Sequence, residues 1–209
     1  MTSVVTVIGD VRDSRSAPDR QQLHDVLTLA LDEVSREVPG RHALRVTAGD
    51  EFQGTYVRLG EALAGVFALR LRLSPEVGVR FGIGRGDVTV LDEATGTQDG
   101  PGWWSARAAI DAVKAAEQET GWSATRTAYR SSQESDPVQE AVNAALVCQD
   151  LLVDSWDART WSIVRGIMQG RTHSDIASEL GISRQAVQQR RSAGLPMVLA
   201  AADRLASLP

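Results

Sequence analysis

Two aspartates, Asp10 and Asp50, stand where a pair of carboxylates can bind a metal ion. Asp10 follows the β-branched run from Val4 to Ile8, which predicts a buried strand. Asp50 lies in the turn Gly49-Asp50-Glu51 between two further strand-like runs. We expect these strands to be neighbours at the centre of one sheet, so that the two carboxylates converge. Paired carboxylates on rigid strand ends bind Mg²⁺, which keeps waters and nucleotide phosphates as its other ligands.

The segment after Asp10 has the composition of a phosphate-binding loop. It runs directly into a predicted helix, so its backbone N–H groups can point at an anion, and the geometry suits a triphosphate. The expected nucleotide-binding residues are Val11, Arg12, Asp13, Ser14, Arg15 and Glu51. An alternative is that Asp10 only caps the next helix and that Glu51 is a solvated turn residue.

The elements that position these residues follow the order β-α-β-β-α-β. The predicted elements are a strand at 4–8, a helix at about 18–38, a hairpin of runs 43–48 and 52–57, a helix at about 60–73, and a strand at 77–83 that Gly84 and Gly86 break before 87–91 extends again. This order predicts an α+β class, with a ferredoxin-like βαββαβ first domain.

The second half of the chain is predicted to be mostly helical. A loop at 92–102 precedes a third helix at about 103–119, and a helix at about 138–155 leads out of the first domain. We expect three parts: a first domain at 1–136, a connecting helix at 137–156, and an all-α second domain at 157–209.

The second domain contains the pattern of a helix-turn-helix. One helix begins near Thr172, Gly181-Ile182 makes a turn, and Ser183 is a natural N-cap for the next helix. Arginine pairs with guanine and glutamine with adenine in the major groove of DNA. The expected DNA-contacting residues are Thr172, Ser183, Arg184, Gln185, Gln188, Gln189 and Arg191. An alternative is a three-helix domain that makes only protein contacts.

Charge is divided unevenly between the two predicted domains. The 209 residues have a net charge of −5, but residues 157–209 hold seven arginines and four acidic residues, a net charge of +3. The preceding part therefore carries −8. An acidic first domain and a basic second domain predict that a polyanion would bind to the C-terminal part of the chain.

Composition excludes several classes of protein. A single cysteine, Cys148, cannot form an internal disulfide, and with three histidines the chain lacks the ligands of a structural zinc site. No apolar stretch is long enough to span a membrane, and the N-terminus lacks the features of a secretory signal. We therefore expect a globular cytoplasmic protein without a membrane partner.

Several stretches resemble the SatD family of bacterial proteins. They are residues 7–15, 48–54 and 80–86, together with Asp99-Gly100-Pro101 and Ala106-Arg107. That family is in turn similar to the palm-like catalytic domain of class III nucleotidyl cyclases and GGDEF-type polymerases. In those enzymes an Asp ending the first strand and an Asp in the following hairpin hold the metal ions. The resemblance therefore implies metal-binding roles for Asp10 and Asp50.

A second resemblance concerns the C-terminal helices. Residues from Thr172 to Ser183 are similar to the DNA-contacting region 4 of sigma factors, with Asp175 where glutamate is usual. This resemblance implies binding to double-stranded DNA.

One segment departs from the cyclase pattern. Class III cyclases carry an Asn and, four residues later, an Arg on the helix after the loop, whereas here that helix begins Trp103-Trp104-Ser105-Ala106-Arg107. This helix has no Asn, and its Arg is not at the position that the cyclase pattern requires. Lys114 lies beyond the expected purine pocket. For Trp103 and Trp104 we expect core packing or a dimer contact rather than base stacking. The departure favours nucleotide binding over turnover.

The sequence thus supports two main hypotheses. The first is a DNA-binding transcriptional regulator whose cyclase-like domain senses a purine nucleotide with Mg²⁺, forms a homodimer, or both. The alternative is a Mg²⁺-dependent nucleotidyl cyclase or nucleotidyltransferase that uses Asp10 and Asp50. A third hypothesis, a scaffold with neither ligand nor DNA, leaves the composition of the Arg184 helix unexplained.

Overall fold

A computed structural model describes residues 2–192 and 195–209, with only the backbone described at residues 2, 191 and 192. The strands are β1 (Thr2–Val11), β2 (His42–Ala48), β3 (Glu51–Tyr56), β4 (Val79–Asp92), β5 (Thr97–Asp99) and β6 (Thr127–Ser131). The helices are α1 (Arg20–Glu37), α2 (Leu59–Leu73), α3 (Pro101–Ala116), α4 (Gln139–Asp154), α5 (Ala158–Met168), α6 (His173–Leu180), α7 (Arg184–Ser192) and α8 (Leu195–Ala206). A short 3-10 turn, Ser14–Ser16, follows β1.

Strand β1 lies in the middle of a mixed sheet. It pairs antiparallel with β3 on one side and with β4 on the other, and β2 pairs with the outer edge of β3. Strand β6 runs parallel to the first part of β4, and β5 pairs with its last part. The register sets Gly9 opposite Phe52, which places Asp10 beside the turn between β2 and β3. The sheet therefore brings the two regions of the predicted site together.

The predicted break in the fourth strand is wrong, because β4 runs unbroken through Gly84 and Gly86. These glycines allow close packing of α3 across the strand. A Cβ atom at Gly84 would lie 2.3 Å from the backbone of both Ala106 and Gly102. Strand β5 also lies within the segment predicted to be a loop, and β6 was not predicted.

The two faces of the sheet are covered by different helices. Val5 and Val7 belong to the large core shared with α1 and α2, whereas Ile8 packs against Ala106 and Ile110 of α3. This division follows from the alternation of side chains along a strand. The end of β1 is thereby fixed between two packed layers.

The C-terminal helices form a small core and also pack on the body. Ile163, Ile176 and Val187 join α5, α6 and α7. A second buried cluster spans both regions and consists of Leu71, Val153, Trp161, Val164, Leu195 and Val198. The chain end returns to α2, where the Gly60 N–H donates to the Leu208 carbonyl over 3.1 Å. The C-terminal helices are therefore held against the sheet domain by buried apolar contacts.

None of the helices within 2–192 and 195–209 is long and apolar enough to cross a membrane.

Candidate functional site

An open groove of about 670 Å³ lies where the end of β1 meets the turn between β2 and β3. Its lining residues are Asp10, Val11, Asp13, Ser14, Arg15, Ser16, Ala48, Asp50, Glu51, Arg80 and Lys114. The structure thus brings both predicted metal ligands to one cavity, with all the predicted nucleotide-binding residues except Arg12. We call this cavity the Asp10 groove.

Both carboxylate oxygens of Asp10 are engaged by cations. Oδ1 accepts a hydrogen bond from Arg80 Nη1 at 3.2 Å, and Oδ2 lies 2.6 Å from Lys114 Nζ. Arg80 stands directly opposite Asp10 in the register of β1 and β4, and Lys114 lies in the last turn of α3. Asp10 is buried, so these contacts are shielded from water. A ligand that binds to Asp10 must first displace a cation.

Glu51 is also paired, in this case with Arg107 of α3. Arg107 donates from Nη2 to Oε1 over 2.8 Å and from Nη1 to Oε2 over 2.9 Å, while Gln53 Nε2 donates to Oε1 over 3.0 Å. The hydrogen bonds from Arg107 hold the pKa of Glu51 below its usual range. A two-pronged pair of this kind fixes α3 to the start of β3.

Asp50 differs from Asp10 and Glu51, the two acidic residues of the groove that are paired with cations. It lies half-buried at the tip of the hairpin, after Gly49, whose positive φ of 63° allows the tight turn. Within the described residues, its carboxylate makes no hydrogen bond or ion pair. Asp50 is therefore available to a ligand without prior displacement of a partner.

The cyclase resemblance implies that Asp10 and Asp50 hold metal ions, and here Asp10 is paired with cations instead. Asp10 is committed to Arg80 and Lys114, and Glu51 is committed to Arg107. No group of three or more His, Cys, Asp or Glu side chains converges on a common point among the described residues. A Mg²⁺ ion held by one carboxylate would take its other ligands from waters and nucleotide phosphates.

Arg12 is the predicted nucleotide-binding residue that lies outside the groove. Its Nε is 3.1 Å from Glu117 Oε1, at the C-terminal end of α3. Glu117 also accepts hydrogen bonds from Arg80 Nε over 2.6 Å and from Arg126 Nη1 over 2.9 Å. Three guanidinium groups thus surround one carboxylate, and Arg80 links this cluster to Asp10.

Sequence reasoning missed Arg80 and Lys114 as groove residues. Arg80 gave no signal beyond its position in a predicted strand. Lys114 is the only lysine of the chain, yet it was placed beyond the site. It reaches Asp10 because α3 packs closely across the glycines of β4, which is a tertiary effect.

The two tryptophans at the start of α3 have separate environments. Trp103 packs against the cluster formed by Ile8, Ala106 and Ile110. Trp104 is exposed, and its Nε1 donates to Asp99 Oδ1 over 2.8 Å. Neither ring lines the Asp10 groove.

Helices α6 and α7 are joined by a three-residue turn. Gly181 takes the left-handed conformation that ends α6, and Ser183 Oγ accepts a hydrogen bond from the Ala186 N–H over 3.1 Å at the start of α7. Thr172 caps α6, and its hydroxyl donates to Asp175 Oδ2 over 2.6 Å. These hydrogen bonds with Thr172 lower the pKa of Asp175. Thr172 is thus engaged within its own helix.

Helix α7 has one buried side and one exposed side. Val187 is fully buried against α5 and α6. Arg190 donates from Nη1 to both carboxylate oxygens of Asp157, over 2.9 and 2.7 Å, and so fastens α7 to the start of α5. The predicted DNA contacts that are exposed on α7 and at its start are Ser183, Arg184, Gln185, Gln188 and Gln189, and Thr172 at the start of α6 is exposed as well. The side chain of Arg191 lies outside the described part of the structure.

Solved structures that are similar to this chain include three chains of low sequence identity. The catalytic core of a rhodopsin-guanylyl cyclase is 17% identical, with a TM-score of 0.41 over 53% of this chain and 72% of that chain. The GGEEF domain of a diguanylate cyclase from Vibrio cholerae is 11% identical, with a TM-score of 0.42 over 64% and 85%. A regulator of polyketide synthase expression from Bifidobacterium adolescentis is 14% identical, with a TM-score of 0.32 over 99% and 86%.

Comparison of sequences gives a more specific result. No curated protein matches the chain. A profile of the SatD family matches residues 4–207, which is nearly the whole chain. The protein therefore belongs to the SatD family.

Proposed function

We propose that this SatD-family protein is a DNA-binding transcriptional regulator whose body senses a nucleotide. The observation that carries the proposal is the exposed side of α7. Arg184 and Gln185 are exposed there and form no hydrogen bond or ion pair with any described residue. Arginine and glutamine are the side chains that read guanine and adenine. On this proposal, α7 enters the major groove and the Ser183 end of the helix contacts the backbone.

The proposed division of the chain follows these roles. Residues 1–136 form a ferredoxin-like, cyclase-like body, 137–156 connect it, and 157–209 form the DNA-binding helix-turn-helix unit. Helix α8 belongs to the second unit in sequence but packs on α2 of the body, so it anchors that unit. On this proposal, a conformational change in the body is transmitted to α7 through the contact between α8 and α2.

DNA binding is tested by fluorescence anisotropy with labelled promoter fragments from the genomic region that surrounds the gene. The double variant Arg184→Ala/Gln185→Ala removes two base-reading side chains from exposed positions. We expect its specific affinity to fall at least about tenfold, since each lost base contact costs about 1–3 kcal/mol. Affinity of the parent protein also decreases steeply with salt.

A matched control removes the same residue types from the body. Arg20→Ala/Gln22→Ala deletes one exposed Arg and one exposed Gln from the start of α1 and makes the same charge change. We expect this control to bind DNA as the parent does. Equal affinities of the parent and the α7 variant would refute the recognition-helix assignment.

The proposed ligand of the Asp10 groove is a purine nucleoside triphosphate. Lys114, Arg80 and Arg15 line the groove and are the cations that phosphates can contact. Asp13 and Asp50 are groove carboxylates without a partner among the described residues. Asp50 lies at the tip of the hairpin, and it is the residue that we expect to meet a Mg²⁺ ion carried by the nucleotide. Because Lys114 and Arg80 already bind Asp10, we expect weak affinity.

Calorimetry with ATP and GTP, each with and without Mg²⁺, tests this ligand. Lys114→Ala is expected to weaken binding in both conditions, and Asp50→Ala only in the presence of Mg²⁺. Arg20→Ala serves as the control for an exposed arginine elsewhere. If the parent protein gives no binding heat with either nucleotide, the proposal that the Asp10 groove binds a nucleotide is wrong.

The enzyme hypothesis makes a different prediction for the same samples. A cyclase or nucleotidyltransferase that uses Asp10 and Asp50 would release pyrophosphate from the triphosphate. The ion pairs of Asp10 favour sensing over turnover, so we expect no rapid release. Fast pyrophosphate release, lost in Asp10→Asn, would establish the enzyme instead.

We also propose a homodimer. A single small DNA-binding unit makes few contacts, whereas two units reading paired half-sites give tight specific binding. Exposed apolar side chains include Val90 and Leu91 of β4 and Trp104 of α3. Light scattering is expected to give a mass near twice the chain mass of 22.5 kDa. A monomer mass that DNA does not change would contradict pairing.

A further inference from the structure

A second cavity, of about 160 Å³, lies between the body and the C-terminal helices. It is lined by Arg12, Arg70, Ser74, Pro75, Gly78, Val79, Arg126, Val153, Asp154, Trp156 and Trp161. The walls come from the end of α2 and the start of β4 on one side and from α4 and α5 on the other. We call it the junction cavity. It is separate from the Asp10 groove, with which it shares no lining residue.

Three guanidinium groups and one carboxylate line the junction cavity. Arg70 and Arg126 are both more than nine-tenths buried and are held in place, Arg70 by Asp150 and Arg126 by Glu117 and Asp154. Burial and the nearby charge of Arg12 lower the pKa of Arg126. Cations that repel one another in a buried place are stabilised by an anion between them.

Arg12 is the guanidinium with unused donors. Its side chain donates no hydrogen bond to any described residue, and its Nε is buried without an acceptor in hydrogen-bonding geometry. The Glu117 contact of 3.1 Å is an ion pair alone. The backbone holds Arg12 over the cavity, because its N–H donates to the Gly78 carbonyl over 2.8 Å. Nε is occupied by the ion pair with Glu117, so the donors that remain for a ligand are those of Nη1 and Nη2.

Two tryptophans also line the junction cavity. The rings of Trp156 and Trp161 meet edge to face, with centroids 5.0 Å apart. Trp161 also belongs to the apolar cluster that joins α5 to α2. A compact anion in this cavity would therefore contact guanidinium groups on the body side and tryptophan on the side of the C-terminal helices.

We propose that the junction cavity binds a small oxyanion, either a phosphate group or a carboxylate. The volume of the cavity suits such a group. The guanidinium groups have coplanar N–H donors that match an oxyanion, and Arg12 has N–H groups that donate to no described residue. Since the walls belong to both regions, the bound anion stabilises the docked position of the C-terminal helices. The inference does not depend on DNA binding or on the Asp10 groove.

The test measures anion binding to the full chain by calorimetry, with inorganic phosphate and acetate in separate titrations at constant ionic strength. The variants are Arg12→Ala, Arg12→Lys and Arg20→Ala, the last being an exposed arginine of α1 that lines neither cavity. A further variant, Arg15→Ala, reports on binding in the Asp10 groove. We expect Arg12→Ala to weaken binding by about tenfold or more, because a charge-assisted hydrogen bond is lost. Arg12→Lys keeps the charge without the fork and is expected to be intermediate. Arg20→Ala is expected to bind as the parent does.

A second measurement locates the anion. Incorporation of 5-fluorotryptophan labels all five tryptophans, and single Trp→Phe variants assign the fluorine resonances. Phosphate or acetate is expected to shift the signals of Trp156 and Trp161 and to leave those of Trp104 and Trp122 in place.

Each outcome decides the proposal. Weaker binding in both Arg12 variants, with shifts at Trp156 and Trp161, supports it, and the tighter of the two anions identifies the ligand chemistry. Absence of saturable heat in the parent overturns it. Loss of binding in Arg15→Ala but not in the Arg12 variants places the anion in the Asp10 groove and also overturns it. If Arg12→Ala proves misfolded by circular dichroism, Arg12→Lys decides in its place.

Discussion

The Asp10 groove and the exposed side of α7 use the same kinds of residue in opposite ways. In the groove, Arg80 and Lys114 contact Asp10, and Arg107 holds both oxygens of Glu51. On α7, Arg184 has no partner among the described residues. A cation already paired in a partly buried place has fewer donors left for a ligand than an exposed and unpaired one. The difference teaches that the availability of a side chain, more than its type, separates a recognition surface from a structural one.

Helix α7 itself shows the same contrast within one element. Arg184 is exposed and without a partner in the described structure, whereas Arg190 is bound to Asp157 and Thr160. Both arginines would count equally in a tally of positive charge along the helix. Only Arg184 is free to contact DNA, so we expect mutations at the two positions to change different properties.

The largest effect is expected at a buried pair of the body. Asp150→Asn leaves Arg70 buried without its counter-charge and weakens the contacts with the Arg126 and Thr127 N–H groups, which Asp150 Oδ2 accepts over 2.7 and 2.8 Å. We expect a loss of about 3–5 kcal/mol in the free energy of unfolding. Urea denaturation measures it, with Arg184→Ala as a comparison expected within about 0.5 kcal/mol of the parent. A small loss in Asp150→Asn would show that paired and unpaired arginines differ less than we infer.

The second effect concerns the support of α7. Val187→Ala removes two methyl groups from the cluster with Ile163 and Ile176 and is expected to destabilise the C-terminal helices by about 1–3 kcal/mol. Hydrogen exchange should accelerate in α6 and α7 and remain unchanged in β1. Faster exchange throughout the sheet would mean that body and C-terminal helices unfold as one unit.

A third prediction separates a competing carboxylate from a metal ligand. If Asp10 holds Lys114 and Arg80 away from phosphates, Asp10→Asn releases these cations and raises nucleotide affinity severalfold. If Asp10 instead binds a metal ion, the same substitution lowers affinity in Mg²⁺. Calorimetry with and without Mg²⁺ gives the sign directly. Asp50→Asn is the control, because Asp50 has no cation to release among the described residues.

The parts of the structure that local sequence could predict are those set by local rules. Thr172 and Ser183 are strong helix caps, and the structure has helices that begin at the next residue in each case. The placement of Asp10 beside the hairpin turn followed from the order of strands. Both features depend on neighbouring residues and on hydrophobic alternation.

The parts that could not be predicted depend on distant packing. Gly84 and Gly86 were interpreted as strand breakers because a glycine alone does not reveal that a helix backbone lies against it. The direction of Arg12 is set by Glu117 at the end of α3, and Lys114 reaches Asp10 only because α3 lies so close to the sheet. Charge partners across helices are therefore the main information that the sequence pattern lacked.

The smallest effect is a pH dependence at the pairing of Asp157 with Arg190. The hydrogen bonds from Thr160, followed by that from Arg190, hold the pKa of Asp157 well below its ordinary value of 3.8. Since the folded pKa is lower than the unfolded one, this contribution is fully present above the unfolded pKa and is lost as pH falls toward the folded pKa. We therefore expect Asp157→Asn to accelerate hydrogen exchange in α5 and α7 by a constant factor above about pH 5, once the intrinsic exchange rate is corrected for.

The difference between parent and Asp157→Asn should then shrink as the pH falls below about 4, because protonation removes the same charge from the parent. Asp25→Asn serves as the control, since Asp25 lies on α1 of the body and bonds only Gln21 among its described neighbours. Asp157 is exposed, so solvent screening keeps the effect small. If the difference in exchange between parent and Asp157→Asn persists unchanged at acidic pH, the charge of Asp157 does not stabilise the helices. Asp157 would then act only as the N-cap of α5. Arg190 would lack an effective charge partner, as Arg184 does.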